Sequence, residues 1–467
     1  MTDRGHRRSR GAGLRALRSP RSLGAALAAF LALGRVSAPQ EPEAPLLALR
    51  GARVITIARG TLEEGTILVQ GGKIVAVGAS AEIEPPAGAT VRDMRGRVIM
   101  PGIVDTHSHV GISPRPDVEA HADGNEATDP IQSGLRALDA IWPGDPGIRM
   151  AVAGGVTTAN IMPGSANVMG GQTAYVKLRG KTIEEMLIHK EGVQGGMKMA
   201  NGENPKRSHG PRGRAPATRM KVAALQRSIF IKAQDYVRAW ETYERAVGEG
   251  KTGLQRPDRN LDLEPVVEIL KGQRTVHFHT HRADDILTAL RLADEFGFKI
   301  VLQHVSEGHL VAEEIARRNA PCSIIVTESP GGKLEAVQLR MDNAAALERA
   351  GVKVAFHSDD NVVNSRFLLR EAALAVRAGM SEQGALRALT LHAAEMMDLA
   401  DRIGSIEPGK DADLVVLSGP PFSVRTQVLE TYIDGEQVFD RARPADRRFA
   451  TGGFDVGERY PTLEGAP

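Results

Sequence analysis

The chain has 467 residues, 42% of them hydrophobic, 25% charged and 4% aromatic, which excludes a disordered, collagen-like or disulfide-stapled chain and describes a globular protein with a sizeable core. Lys and Arg (59) balance Asp and Glu (57) to a formal charge of +2, so there is no electrostatic footprint for nucleic acid. The single Cys322 excludes an internal disulfide and a Cys-rich metal site, which leaves the 13 His to carry the chemistry.

Residues 1–38 read as an export signal. Arg4, Arg7, Arg8, Arg10, Arg15, Arg18 and Arg21 precede an apolar run at 23–33 (LGAALAAFLAL), and Val36-Ser37-Ala38 supplies small residues of the kind signal peptidase cleaves. The run is too short to span a bilayer, so the mature protein is expected in the periplasm or outside the cell, without an integral membrane span. Residues 46–100 hold short alternating stretches (ALRGARVITI, GTILVQGGKIVAVG, TVRDMRGRVIM), with Gly71-Gly72 as a hairpin turn. The same pattern returns over 401–445 (ADLVVL at 412–417, a turn at Asp434-Gly435), ahead of a C-terminal tail at 446–467. Together the two ends predict one small β-sandwich assembled from both termini.

Residues 101–400 alternate apolar strand runs with helical periods. The runs include TTANIM (157–162), MKMA (197–200), TVHFHTH (275–281), KIVLQHV (299–305), SIIVTE (323–328) and VKVAFHSDD (352–360). That repeat predicts a (β/α)8 barrel with its chemistry at the C-terminal strand ends. Residues 201–274 exceed a simple connection. They predict a mobile Gly/Pro/Arg-rich loop (NPKRSHGPRGRAP) and a helix over 220–247, with Val222, Leu225, Ile229, Ala233, Val237 and Trp240 three or four apart. This segment is either a substrate lid or an ordinary barrel helix behind a solvated loop.

His107 and His109, in VDTHSH after an apolar strand, lie two apart and so point to one side, where both imidazoles reach one metal ion. His277, His279 and His281 share a face of a later strand: His277 is deepest and reads as packed core, His279 is placed to ligate, and His281 to meet a substrate or orient a ligand. His304 ends the following strand facing the barrel axis, while His309 reads as a helix cap. In FHSDD, Asp359 is placed to hold a metal and take a proton from metal-activated water. Asp360 is the fallback, and His357 is expected to face the neighbouring helices. Ligands of this kind, without thiolate, suit Zn, with Mn, Fe or Co as alternatives. A second ion needs a bridging anion: carbamylated Lys198 or Glu203. In the alternative, Lys198 only pairs with Asp359 or Glu203.

These stretches resemble the amidohydrolase superfamily, specifically its imidazolonepropionase-like and prolidase-like branch: VIMPGIVDTHSHV (98–110), GVTTANIMPGSANVMGGQ (155–172), MKMANGENPKR (197–207), HFHTHRADDI (277–286), LQHVSEGH (302–309), AFHSDD (355–360) and GSIEPGKDADLVVL (404–417). The resemblance implies a metal-dependent hydrolase of C–N bonds (amide, peptide-like or cyclic amide). It puts His107, His109 and Asp359 on the more buried ion, His279 and His304 on the outer one, and Lys198 at the carbamylated position. His281 is then the candidate oxyanion stabiliser, and Glu203, Asn204, Lys206 and Arg207 the candidate substrate contacts, suiting a small molecule such as a dipeptide or N-acyl amino acid. A deacetylase or lactonase on the same site is the alternative, a non-catalytic barrel scaffold the third reading. Homo-oligomers are common in the superfamily.

Overall fold

The computed structural model describes residues 45–452 apart from 117, 327–332 and 361. The expected export signal at 1–38 and the tail beyond 452 lie outside the described residues. The N-terminal part forms β1 (Leu47–Ile55), β2 (Thr61–Gln70), β3 (Lys73–Ala79), β4 (Thr90–Asp93) and β5 (Val98–Pro101). β2 and β3 make the hairpin predicted at Gly71-Gly72, where both glycines take positive φ (56° and 78°), as a tight primed turn requires.

The middle of the chain supplies β6 (Ile103–Ser108), β7 (Val156–Ile161), β8 (Met169–Gln172), β9 (Ala174–Lys177), β10 (Gly196–Ala200), β11 (Thr275–Thr280), β12 (Ile300–His304), β13 (Cys322–Ile324) and β14 (Val354–Phe356). The C-terminal part returns with β15 (Leu414–Leu417), β16 (Val428–Ile433) and β17 (Glu436–Asp440). The two ends do meet, in one hydrogen-bonded eight-stranded sheet, ordered β17-β16-β15-β5-β1-β2-β3 with β4 on β1. The join is antiparallel, with Leu414 opposite Pro101 and Leu417 opposite Val98. Side chains alternate across it. Ile99, Leu414 and Val416 pack into the terminal sheet's own cluster with Leu49, Val54 and Tyr432, while Met100, Val415 and Leu417 face the large central core. Burial on both faces explains why β15 reads as an unbroken apolar run.

The middle is mixed α/β. β10 to β14 run parallel in one six-stranded sheet whose last member, β8, is antiparallel; β6, β7 and β9 form a separate three-stranded sheet. The ladder is therefore not one closed ring. Between β14 and β6 the link is made at strand ends, where Asp359 N–H donates to the His107 carbonyl (2.9 Å) and Ser358 N–H to Asp105 (3.1 Å).

The 201–274 segment differs from its expectation at its start. Gly202, at φ 78°, turns the chain out of β10 directly into a helix at Glu203–His209, and Pro205 sits in its first turn, where a missing N–H loses nothing. The long helix spans Arg219–Gly248, capped by the Thr218 hydroxyl on Lys221 N–H, and buries Val222, Gln226, Ile229, Phe230 and Ala233. Among the described residues no helix is long and apolar enough to cross a membrane.

Candidate metal centre

Two neighbouring sets of side chains converge at the C-terminal ends of the parallel strands. At the end of β6, the period-2 geometry sets the His107 and His109 rings 5.1 Å apart and perpendicular. The chain just past β14 brings Asp359 to both: its Oδ1 lies 3.2 Å from His107 Nε2 and 2.9 Å from His109 Nε2. His109 is fixed from its other nitrogen by the Met162 carbonyl (2.7 Å). The second set is His279 and His281 from the end of β11 and His304 from the end of β12, with ligand atoms all within 4.8 Å of one another. The Ser306 hydroxyl holds His281 Nδ1 (2.7 Å) and so leaves Nε2 directed inward. His304 connects the sets, its ring 4.9 Å from that of His107.

Backbone conformation is unusual at these points. His304, Val305 and Asp359 have φ of 73°, 52° and 50°, a region costly for residues with a Cβ and concentrated at functional sites. Burial is the first cause that depresses five of the imidazoles here: His107, His279 and His304 fall well below the ordinary histidine value, and His281 and His357 fall to about 3. These five are neutral at pH 7, the form a metal requires. Burial alone would raise Asp359, but the His109 hydrogen bond and the nearby His109 and Lys198 outweigh it and hold the carboxyl well below the usual range. His279 Nδ1, His281 Nε2 and His304 Nε2 are buried without a hydrogen-bond partner, and His107 turns its Nε2 to Asp359. Inward-facing, neutral, unsatisfied nitrogens beside a carboxylate fit a divalent cation, and an uncompensated set of this kind is otherwise costly.

Lys198 lies fully buried on β10, with Nζ 2.9 Å from His107 Nε2 and 3.4 Å from Met162 Sδ. Burial first, then the charge of Lys333, lowers its amine to about 7 against the pull of Asp359. Glu203 is not brought to it: the Glu203 carboxylate lies 3.9 Å from Arg207, one helical turn on, and only its backbone N–H turns inward. Arg207 is itself 63% exposed. Asn204 does reach the second set, Nδ2 lying 3.4 Å from His279 Nε2, and Lys206 is half-buried. His277 is tied at both nitrogens, to Tyr175 (3.0 Å) and Gln303 (3.1 Å), as a core residue. Asp360 is occupied by Arg115 and by Ser365 N–H and Oγ (2.7 Å each).

Two participants escape the sequence reading. His357 faces inward, not toward the helices: its Nε2 is 3.2 Å from His304 Nδ1, and Ser323 holds its Nδ1 at 2.7 Å. The signal was present, since His357 and Asp359 are two apart, as His107 and His109 are. Glu335 is 98% buried beside the second set, with Oε1 3.9 Å from His279 Nε2. Burial pushes its carboxyl up to about 7. Nothing local in the sequence marks it.

The amidohydrolase family model matches residues 98–438, so it takes in both sets and most of the terminal sheet. The chain belongs to the amidohydrolase family. It is 39% identical to an amidohydrolase of Thermotoga maritima MSB8, whose crystal structure superposes with a TM-score of 0.79 over 85% of this chain and 100% of that one. It is 33% identical to amidohydrolase tasK of Hapsidospora irregularis over 80% of this chain; the match spans 40% of that relative's length. An imidazolonepropionase of Streptococcus pyogenes is 23% identical over 82% of this chain and 92% of its own. Its amidohydrolase homologues are hydrolases acting on C–N bonds. Family members generally bind a divalent metal, and the His and Asp groups of this amidohydrolase suit one.

Proposed function

We propose that this amidohydrolase cleaves a C–N bond in a small exported-compartment substrate, a dipeptide or N-acyl amino acid, with Asp359 moving the proton. The observation that carries the reading is the pair of converging imidazole sets, one closed by a carboxylate held ionised. His107, His109 and Asp359 would hold one cation, His279, His281 and His304 a second, zinc being the first choice for such donors. A divalent cation bound there polarises a carbonyl and acidifies water to a pKa of around 7.

The chain's own groups do the rest. Asp359 accepts the proton of the attacking water and delivers it to the leaving nitrogen. His281, fixed by Ser306, offers Nε2 toward the developing oxyanion. Lys198, its amine lowered to about 7, supplies in its unprotonated fraction the nitrogen that adds CO2, forming an N–C bond and releasing a proton; the resulting carbamate would bridge the two sets. Lys206 and Asn204 are the proposed substrate contacts, and exposed Arg207 is left out. The same reading makes the three- and six-stranded sheets the wall of one (β/α)8 barrel, which the strand-end hydrogen bonds between β14 and β6 support. The basic-then-apolar pattern of 1–38 supports export.

The test is a panel of dipeptides, N-acyl amino acids, acetylated sugars and lactones offered to the protein lacking residues 1–38, with products identified. Amine release from the first two classes is expected. Asp359→Asn should lower that turnover by roughly 10³-fold with its circular dichroism unchanged. Full turnover by the variant removes Asp359 from the role, and acetate release or ring opening alone replaces the amide reading with the deacetylase or lactonase.

A further inference from the structure

His279 offers two nitrogens, and which of them faces a cation depends on what holds the other. Its Nδ1 is buried without a partner, as are His281 Nε2 and His304 Nε2. Its Nε2 faces the opposite way, toward Glu335 Oε1 at 3.9 Å and Asn204 Nδ2 at 3.4 Å. Glu335 Oε1 is itself buried and has no hydrogen-bond partner, whereas Oε2 accepts from Glu203 N–H at 2.8 Å and lies 3.5 Å from Arg219 Nη2. Asn204 Nδ2 has a better acceptor in Ser165 Oγ at 2.9 Å. One nitrogen and one carboxylate oxygen, both desolvated, therefore face each other about 1 Å beyond bonding distance.

The room for this carboxylate is made by Gly202. A Cβ there would stand 2.4 Å from Glu335 Oε2, and the residue's φ of 78° disfavours any side chain. The GENPKR stretch thus has a definite task at its first two positions: Gly202 admits the carboxylate and Glu203 N–H anchors it.

We propose that Glu335 is a positioning residue for His279. Its Oε1 accepts the Nε2–H, which leaves the Nδ1 lone pair turned to the second cation position, while the Gly202-Glu203 turn holds the carboxylate in place. A histidine ligand whose outer N–H is held by a carboxylate keeps one tautomer and one ring orientation, and loss of such partners typically weakens metal affinity 10- to 100-fold. The inference rests on the cation-binding reading above only for its second readout.

The experiment uses the full chain with ¹⁵N-histidine, stripped of cation by chelator, and the His279 signals assigned by their loss in His279→Gln. Wild type is expected to show the Nε2–H tautomer. Glu335→Ala should mix the tautomers, Glu335→Gln should keep them through its amide oxygen, and Gly202→Ala should imitate Glu335→Ala by displacing the carboxylate. Zinc competition against a chelator should then show the affinity of the His279-His281-His304 site lowered 10- to 100-fold in Glu335→Ala and that of the His107-His109-Asp359 site unchanged. A wild-type Nδ1–H tautomer, an unaltered Glu335→Ala spectrum, or equal weakening of both sites overturns the proposal. So does an Asn204→Ala spectrum that shifts in place of the Glu335→Ala one. A wild-type chain that takes up no zinc defeats the proposed function instead, and the cation-free spectra still decide the role of Glu335.

Discussion

Two buried lysines on consecutive strands have opposite surroundings. Lys177, at the end of β9, is 5% exposed and meets three carboxylates: Asp413 at 2.6 Å, Asp411 at 3.0 Å and Asp434 at 3.1 Å. Burial would lower its amine, but those three acids outweigh burial and raise it. Lys198, in β10, is wholly buried and meets a histidine and a thioether; none of the described carboxylates is within ion-pair distance. There burial prevails and the amine drops to about 7. The first lysine keeps its charge and ties the terminal sheet to the three-stranded one, through acids of the β15 and β16 region. The second lies beside a candidate metal centre with its amine lowered. The same side chain, equally hidden, becomes structural or reactive according to its nearest charges.

The comparison breaks first at Lys177. Lys177→Met leaves buried Asp413 without its cation, while Asp411 keeps Lys73 and Arg402 and Asp434 keeps Arg179; urea unfolding should show a loss of about 3–5 kcal/mol with little change in the activity of the folded fraction. Near-wild-type stability would mean that the cluster rearranges and that its charge does not hold the sheets together. Lys198→Met is expected to do the reverse. Turnover on whichever substrate the panel yields should fall roughly 10²-fold or more, and the melting temperature should stay level or rise, because an unpaired buried amine has been removed. A stability loss with activity retained would exchange the roles.

The pH dependence sharpens the contrast. Lys198 is lowered from 10.5 to about 7 on folding, so between those values the unfolded chain binds more protons and stability rises with pH. The penalty is full below about 7 and fades as the pH climbs toward 10.5. Cation-free wild type should gain on Lys198→Met by about 2 kcal/mol between about pH 7 and 9; a flat difference would mean that Lys198 is neutralised by something else. Lys177 is raised on folding, so its contribution is complete below 10.5 and is lost only as pH rises through its folded value. The smallest effect is expected at the rim of the same cluster. Lys73, 2.5 Å from Asp411 but 47% exposed, should cost less than about 1 kcal/mol on replacement by Met. A larger loss would make the rim, not Lys177, the main counter-charge.

Much of the site was legible because the relevant spacings are short. His107 and His109 are two apart, His279 and His281 likewise, and a strand puts such pairs on one side without help from tertiary structure. His357 and Asp359 obey the same rule, and His357 was misread only because its strand ends at Phe356 and the left-handed Asp359 redirects the chain. Glu203 is placed differently. The helix from Glu203 to His209 turns its carboxylate outward to Arg207 and its N–H inward, so the residue serves the site through its backbone. Strand signals at both ends were clear, yet propensity does not say whether such strands form one sheet or two; the β5–β15 pairing settles that as one.

The sequence by itself determined the family, the strand-ending positions of the candidate metal-binding side chains and the strand character of both termini, since each is carried by local spacing and patterning. Tertiary structure alone decided which buried lysine is paired, which imidazole nitrogens stay unsatisfied, and that Glu335 lies beside His279, 56 positions earlier in the chain. Burial and opposing charge act through space, and the residues that supply them come from segments with no fixed distance along the chain.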